Sequence, residues 1–376
     1  MNLQPFLIER HFAKYEFSVP YQLSCSDCEP LSLPELLAMA SPDSVRLWEN
    51  LSLSYTDSLG HPGLRKEIAG MYEDINQEDI LVCVPEEGIF LVMNSLMMPG
   101  DHLIVMSPSY QSLHEIATGI GCTVDRWEAG PSGFFKLDSL LPLISPSTRM
   151  LVINFPHNPT GAFISKEELV EISRFCDRHH IILFSDEMYR GLEHDPADRL
   201  PGATTLSMNC ISLSGMSKSF ALPGLRIGWL ICRNREIREK LLMLKDYITI
   251  CASAPSEILA IIALQSKGMI LARNLSIINW NIKLVNEFVD RNCDQVSWNP
   301  PKAGSVALLN LLREPSAEKF CQRLLEKKEV LAIGAHLFGV DKPAVRLGLG
   351  RVAFGEALGR VEAMLQEVRQ GSRKHS

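Results

Sequence analysis

Short apolar runs alternate with helical patterns along most of this 376-residue chain, and this alternation restricts the possible folds more than any other feature. Residues 181–185 form a nearly continuous apolar run, which is typical of strands buried on both faces. The segment that precedes this run, residues 166–179, has the apolar spacing of a helix. Strands that alternate with helices predict a mostly parallel sheet covered by helices on both sides. We therefore predict an α/β fold.

The pattern changes near Ile237, where longer helices begin, and a final group of strands and helices ends the chain. We predict a large α/β domain at residues 46–270, with a mostly parallel mixed sheet. Residues 1–45 form an N-terminal arm that contributes to a small α+β domain, which residues 271–376 complete. Up to about Pro42 we expect irregular structure, apart from a short helix at residues 33–40.

Charge and composition exclude several classes of partner. The net charge is -7, and lysines and arginines are scattered rather than clustered, so we expect no nucleic-acid partner. No run of about 18 apolar residues indicates a membrane span, and the first residues lack a signal-type apolar core. Ten widely spaced cysteines are typical of thiols in a reducing compartment, and the lone CxxC at Cys25 and Cys28 is more often incidental than a metal or redox site. We expect a cytoplasmic protein without a metal site.

Polar residues follow the apolar runs at the positions where ligands bind in open α/β sheets. They are Tyr110, Asn158, Asp186, Tyr189 and Lys218. Lys218 lies among small and apolar residues, where partial desolvation would lower its pKa toward that of a usable amine nucleophile. Taken alone, Lys218 could equally be a solvated surface charge.

Seven motifs occur in an order that identifies a family. They are Tyr55 followed by GHPGLR, then PGDHLIV, PSY, NFPHNPTG, SDEMYRG, SGMSKSFALPGLRIG and VRLGLGR. This layout resembles the aminotransferases of the aspartate aminotransferase type, which are class I/II pyridoxal-phosphate enzymes of fold type I. The resemblance runs from Tyr55 to Arg351. It implies pyridoxal 5'-phosphate as cofactor, an amino acid and a 2-oxo acid as substrates, and a homodimer.

The resemblance implies roles for the residues around the cofactor ring. Lys218 would form the Schiff base and then carry a proton between substrate and cofactor. Asp186 would pair with the pyridinium nitrogen, which lets the ring take up negative charge. Asn158 and Tyr189 would hydrogen-bond the phenolate oxygen, and Tyr110 would stack on the ring. Taken alone, each of these residues has a simpler structural interpretation, as a turn residue, a helix cap or an aromatic residue of the core.

The resemblance also implies a phosphate site and a carboxylate site. Arg226, with Ser217 and Ser214, would bind the phosphate, which Tyr55 of the neighbouring subunit would also reach. Arg346 would bind the substrate α-carboxylate through two parallel hydrogen bonds, the contact that selects amino acids.

Two stretches depart from the family pattern. Where relatives have a glycine-containing phosphate turn, this chain has Pro85, Glu86 and Glu87. Proline donates no hydrogen bond and carboxylates repel phosphate, although the amides of Glu86 and Glu87 could still bind it from a helix N-terminus. The two acids could also simply complement the helix dipole.

The second departure lies at residues 23–30, where relatives often have a glycine-rich substrate loop. Here Ser26 and Asp27 would form the pocket edge, where we expect Ser26, like Asn158, to contact the substrate, and an acid there could favour a cationic substrate side chain. Together with HPGLR, EEGIF and YQSL, this stretch is similar to relatives of the capreomycidine synthase type, which use the cofactor for cyclisation.

The sequence predicts an aminotransferase that works through a Lys218 Schiff base. A pyridoxal-phosphate lyase or cyclase, acting by elimination, replacement or cyclisation, is the alternative, and it needs the same residues. A fold-type-I protein without catalytic activity is a third hypothesis, motivated by the altered phosphate turn.

Overall fold

The computed structural model describes residues 1–130 and 135–373. Its helices are α1 (Leu7–Tyr15), α2 (Leu33–Leu37), α3 (Pro42–Glu49), α4 (Pro62–Ala69), α5 (Pro85–Leu96), α6 (Ser112–Ile120), α7 (Leu137–Leu140), α8 (Lys166–Arg178), α9 (Ala203–Leu206), α10 (Arg235–Lys245), α11 (Ala254–Gln265), α12 (Lys267–Arg291), α13 (Ala317–Lys328) and α14 (Phe354–Arg373). Its strands are β1 (Tyr21–Gln22), β2 (Ile80–Cys83), β3 (His102–Ser107), β4 (Thr123–Glu128), β5 (Thr148–Asn154), β6 (Ile182–Asp186), β7 (Cys210–Gly215), β8 (Gly228–Cys232), β9 (Val296–Trp298), β10 (Val306–Leu311), β11 (Val330–Leu331), β12 (Ile333–Gly334) and β13 (Ala344–Gly348).

A seven-stranded sheet forms the centre of the fold, with the strand order β2-β8-β7-β6-β5-β3-β4. Only β8 runs against its neighbours, so the sheet is mixed but mostly parallel, as predicted. Every residue of β3 and β7 is buried, because helices cover both faces. Burial on both faces explains why these strands appear in the sequence as nearly unbroken apolar runs.

Alternate residues of each strand enter different cores. In β3, Leu103 and Val105 pack into the core formed with α5, α6 and α10, whereas Ile104 and Met106 pack into the core formed with α8 on the opposite face. Farther along that opposite face, α4 and α11 cover β2 and β8. The result is the three-layer arrangement that the alternation of strands and helices predicts.

A second, antiparallel sheet has the strand order β12-β13-β10-β9 and packs against α12, α13 and α14. Strand β1 pairs in parallel with β11, which attaches the N-terminal segment to this C-terminal part. This arrangement confirms the predicted fold class, in which both ends of the chain build a smaller α+β part. The boundaries at residues 45 and 270 stay a prediction, and α12 runs through position 270.

The expectation of irregular structure up to about Pro42 was wrong at α1, whereas α3 begins where that stretch ends. Helix α1 places Ile8, Phe12 and Tyr15 at helical spacing, and Ile8 is buried against the second sheet's core. Helix α3 begins at a Ser41 side chain that accepts a hydrogen bond from the Ser44 amide. The predicted helix at residues 33–40 is present but shorter, as α2.

Within the described residues, no single helix is long and apolar enough to cross a membrane, although α11 and α12, bent by 77°, pass that test as a pair. In this structure α11 is a core helix, with Ile262 and Leu264 fully buried.

Candidate active site

The carboxyl ends of the parallel strands and the buried face of β13 enclose a cavity of about 600 Å³. Ten of the predicted site residues line it: Ser26, Glu86, Tyr110, Asn158, Asp186, Tyr189, Ser217, Lys218, Arg226 and Arg346. They come from segments that lie up to 320 residues apart in the chain, so the fold alone brings them together.

The side chains of Asn154 and His157 hold the loops that follow β3 and β5 in place. Asn154, the last residue of β5, donates to the Asp186 carbonyl at 3.0 Å and accepts from the Asn158 amide at 2.9 Å. Burial lowers the pKa of His157 to about 4, so the ring is neutral at pH 7. Its Nε2 therefore donates to the Pro108 carbonyl at 2.8 Å, and this bond ties the Asn158 loop to the loop that carries Tyr110.

The Lys218 ammonium group donates a hydrogen bond of 2.7 Å to the hydroxyl of Ser26. Burial lowers the pKa of Lys218, and the nearby Asp27 carboxylate opposes this shift. The predicted partial desolvation of this lysine is thus present, and it moves the amine toward its free-base form.

Asp186 is buried at the end of β6, where its carboxylate accepts one hydrogen bond, from the Met188 amide at 3.1 Å. Burial raises the pKa of Asp186 to about 7, although the Met188 amide partly opposes the shift. Among the described residues no lysine or arginine forms an ion pair with Asp186. A cation supplied by a ligand would therefore be stabilised here.

Arg346 lies on β13 and is only 2% exposed. It donates to the Asn158 side-chain oxygen at 3.1 Å and to the Ser24 carbonyl at 2.7 Å. Its Nε and the nearby Tyr189 hydroxyl are buried polar atoms without a hydrogen-bond partner in the described part of the chain. Buried polar atoms of this kind normally have a partner, so both are available to a bound molecule.

Tyr110 lies at the wall of the cavity beside α1. Its hydroxyl donates to Glu9 at 3.0 Å, and its ring packs at 5.0 Å against Phe6. The predicted stacking of this ring on a cofactor stays a prediction.

The end of the cavity predicted to bind phosphate contains Arg226, Ser217 and the beginning of α5. Arg226 is exposed and donates within its own turn to the Pro223 carbonyl at 2.9 Å. The side chain of Glu86 lines the cavity, and burial raises its pKa to about 6. Glu87 instead turns back, accepting from the Val84 amide at 3.1 Å and from the Thr249 hydroxyl at 2.5 Å.

Two predicted roles do not fit the geometry of this chain. Ser214 is buried and donates to the Glu187 carbonyl at 3.2 Å. Asp27 accepts from Arg351 with both of its oxygens, at 2.9 and 3.0 Å, so it is not free to pair with a substrate cation.

The predicted roles of Glu87 and Tyr55 stay predictions. The carboxylate of Glu87 caps α5 and turns away from the cavity, as a phosphate contact through its amide would require. Tyr55 is 85% exposed and lies outside the cavity of its own subunit, as a role in the neighbouring subunit would require.

Sequence reasoning missed the contribution of α1. Ile8, Glu9, Phe12 and Glu16 line the cavity from this helix and the residue that follows it. These residues recur at helical spacing, and that signal could have identified both the helix and the face turned toward the site.

The pKa of Asp186 predicts a pH-dependent stability for the cofactor-free protein. Its folded value, near 7, lies above the unfolded value of 3.8. Between these values the native state keeps a proton that the unfolded state has lost, so the free energy of unfolding falls as pH rises. Asp186→Asn should remove this contribution and be more stable than the parent at pH 8, by up to about 4 kcal/mol.

Urea unfolding at pH 4.5 and 8 would measure the effect, with Asp290→Asn, an exposed aspartate on α12, as the matched control. Equal pH slopes for the parent and Asp186→Asn would contradict the prediction.

Comparison with known proteins agrees with this geometry. The family model "Aminotransferase class I and II" matches residues 38–357. Capreomycidine synthase of Streptomyces vinaceus is 27% identical over 95% of this chain and 93% of its own length. The crystal structure of a PLP-dependent aminotransferase from Streptococcus suis superposes with a TM-score of 0.90 at 29% identity, covering 98% of this chain and 99% of that one. The crystal structure of the PLP-dependent cyclase OrfR superposes with a TM-score of 0.89 at 25% identity, covering 98% of each chain.

The residues in the cavity fit pyridoxal phosphate on their own chemistry. A desolvated lysine suits the aldehyde, the buried carboxyl of Asp186 suits a protonated ring nitrogen, and the unpartnered Tyr189 hydroxyl suits a phenolate oxygen. The chain belongs to the class I and II aminotransferase family of fold type I, and its cofactor is pyridoxal 5'-phosphate.

Proposed function

We propose that this protein is an aminotransferase that moves an amino group from an α-amino acid to a 2-oxo acid. The observation that carries the proposal is the placement of Lys218, Asp186 and Arg346 around one cavity. They supply a base, a partner for a ring cation and a carboxylate site. This combination supports a catalytic protein over one that only binds the cofactor.

Each residue has a task that follows from its environment. When bound, pyridoxal phosphate supplies an electron sink for the charge left on the substrate's α-carbon. Lys218, as free base, would take the α-proton on Nζ and would give it up on the cofactor side rather than back to the α-carbon. Arg346 binds the α-carboxylate, and its buried guanidinium, fixed by Asn158 and Ser24, orients the substrate. Helix α1 contributes Ile8, Glu9 and Phe12 to the wall of the cavity.

The alternative function, cyclisation or elimination, is supported by the likeness to capreomycidine synthase and to the cyclase OrfR. It would use Lys218, Asp186 and Arg346 in the same way. The two functions differ in whether a 2-oxo acid is needed to regenerate the cofactor.

Acceptor dependence separates them. Protein loaded with pyridoxal phosphate should make more than one equivalent of oxo acid from its amino acid only when a 2-oxo acid is added. Lys218→Ala should lower this turnover by at least about a hundredfold, because proton transfer loses its base. Lys327→Ala, an exposed lysine on α13, is the matched control. Equal multiple turnover with and without acceptor would overturn the aminotransferase proposal in favour of a lyase or cyclase.

The charges of the cavity support a substrate with a cationic side chain. Arg351 is paired with Asp27, and Lys218, Arg226 and Arg346 are assigned to cofactor and substrate groups. Glu9 and Glu16 line the mouth from the α1 side, and neither forms an ion pair within the described residues. Burial, together with Asp27 and Glu9, raises the pKa of Glu16, as expected for an acid that lacks a cation. The acids that favour a cation are thus Glu9 and Glu16 rather than Asp27.

Removing both charges should alter specificity and leave the chemistry intact. In Glu9→Gln/Glu16→Gln the amide oxygen of residue 9 can still accept from Tyr110, while the negative charge is lost. We expect kcat/KM for lysine or ornithine to fall about tenfold and kcat/KM for norleucine to stay nearly constant.

Glu171→Gln, at an exposed position of α8, is the control for surface charge. A parallel fall for cationic and neutral substrates would show that the acids do not recognise a cation.

We also propose a homodimer in which Tyr55 completes the partner's site. Tyr55 lies beside other exposed apolar side chains that a second copy would cover, such as Leu53, which is 83% exposed. Thr56 donates to the Ala252 carbonyl at 3.2 Å, which places this segment next to Ile250. Exposed apolar side chains on two neighbouring segments favour an interface.

Subunit mixing would test the shared site. Tyr55→Phe and Lys218→Ala homodimers should each have reduced or no activity. A mixed dimer contains one site with native Lys218 and native Tyr55, so unfolding and refolding the two together should restore part of the activity. No recovery from a mixture shown to contain mixed dimers would contradict a shared site, and a monomer in sedimentation would contradict the dimer itself.

A further inference from the structure

The hydroxyl of Ser26 is the hydrogen-bond partner of the Lys218 amine. The two atoms lie 2.7 Å apart, and within residues 1–130 and 135–373 Nζ has no other hydrogen bond and no ion pair. Residues on a flexible loop would place such a contact poorly. The segment that carries Ser26, residues 23–30, is however held on both sides.

This segment, which we call the lip, is bonded to β13 and its flanking residues. The Gly348 amide donates to the Leu23 carbonyl and the Glu29 amide to the Gly350 carbonyl, both at 2.8 Å. A Cβ at position 348 would lie 1.7 Å from the Cys25 carbonyl oxygen, so the close approach requires glycine.

Ser26 itself is fixed from the side opposite Lys218. The Ser305 hydroxyl donates to the Ser26 carbonyl at 2.7 Å. The neighbouring Asp27 is held by its ion pair with Arg351 at 2.9 Å. The fold therefore fixes the backbone of Ser26, from which the hydroxyl reaches Lys218.

The same lip contacts the arginine that binds the carboxylate. Arg346 donates to the Ser24 carbonyl at 2.7 Å, and the Ser24 hydroxyl donates back to the Arg346 carbonyl. Ser24 and Ser26 are two residues apart in the chain. One rigid segment thus fixes both the carboxylate site and the resting place of the lysine.

We propose that Ser26 is a positioning residue that holds the amine of Lys218 whenever this lysine is not joined to the cofactor. The proposal rests on pyridoxal phosphate as the cofactor and is independent of whether the reaction is transamination or cyclisation. It replaces the expectation that Ser26 binds substrate.

A hydroxyl suits this task because it accepts a hydrogen bond without adding a negative charge. A carboxylate in its place would favour the ammonium form and keep the lysine from acting as a base. A hydroxyl keeps the amine in one place and leaves it able to take a proton. The charged and titratable groups that influence Lys218 or are influenced by it come from every side of the cavity: Glu9, Glu16, Cys25, Asp27, Cys28, Glu86, Asp186 and Arg346.

The first test measures the protonation of Lys218 and does not depend on catalysis. In full-length cofactor-free protein, the rate at which acetic anhydride labels Lys218 is followed against pH by mass spectrometry, with Lys218→Ala identifying the labelled peptide. Ser26→Ala removes the acceptor that stabilises the ammonium form, so the pH midpoint should fall by about half a unit to one unit. Ser26→Thr keeps a hydroxyl and should restore the parent midpoint.

The second test uses the loaded enzyme with whichever amino acid it turns over. Ser26→Ala should lower kcat, leave KM nearly unchanged and increase the kinetic isotope effect of an α-deuterated substrate, because proton transfer becomes slower. Ser26→Thr should recover most of kcat. An unchanged labelling midpoint in Ser26→Ala would overturn the proposal, and so would a raised KM with kcat retained, which is the result expected of a substrate contact. The labelling result does not depend on an acceptor, so failure of the aminotransferase proposal would leave it standing.

Discussion

Parallel pairing of β3, β5, β6 and β7 is the constraint on which the rest of the site depends. Because these strands run in one direction, their carboxyl ends meet at a single edge of the sheet. The loops that leave this edge carry Tyr110, Asn158, Asp186 and Lys218. The antiparallel strand β8 then returns from the same edge, and Arg226 lies just before it. This edge of the sheet therefore gathers most of the residues predicted to bind the cofactor, whereas Ser214, Glu87 and Tyr55 do not line the cavity.

The site places ionisable groups where water solvates them poorly. The fold offsets this loss of solvation with more hydrogen bonds at Arg346 than at Asp186. Arg346 has two firm hydrogen bonds and an aromatic neighbour, since its guanidinium lies 5.1 Å from the centre of the Phe338 ring. Within the described residues Asp186 has one hydrogen bond and no ion pair, so its carboxyl holds a proton near neutral pH in the absence of a cation. Burial also lowers the pKa of Arg346, but an arginine stays charged at neutral pH. The aspartate, by contrast, would gain its charge when a ring cation binds.

The sequence predicted most of this arrangement, and its failures have a common cause. Buried parallel strands leave long apolar runs, so the sheet and the polar residues at its edge could be located without a structure. The direction of a side chain could not. Ser214, near the end of β7, and Ser217, in the turn that follows, are three residues apart, yet only Ser217 lines the cavity. Glu86 and Glu87 are adjacent at the beginning of α5, and only Glu86 faces inward. In each pair the outcome depends on contacts with distant segments, such as Glu187 for Ser214 and Thr249 for Glu87.

The same dependence on distant partners changes the interpretation of the lip. In the sequence, Asp27 is the acid next to the pocket, and only the structure shows that Arg351 neutralises it. That ion pair secures the lip against the C-terminal part, and the secured lip presents the neutral hydroxyl of Ser26 to Lys218. The free acids, Glu9 and Glu16, lie across the cavity on a helix that sequence reasoning had left out. Within the described residues neither acid forms an ion pair with Lys218, whose hydrogen bond goes to the neutral hydroxyl of Ser26. The acids proposed to attract a cationic substrate would therefore leave the lysine able to act as a base, although the charge of Glu9 opposes the lowering of the Lys218 pKa.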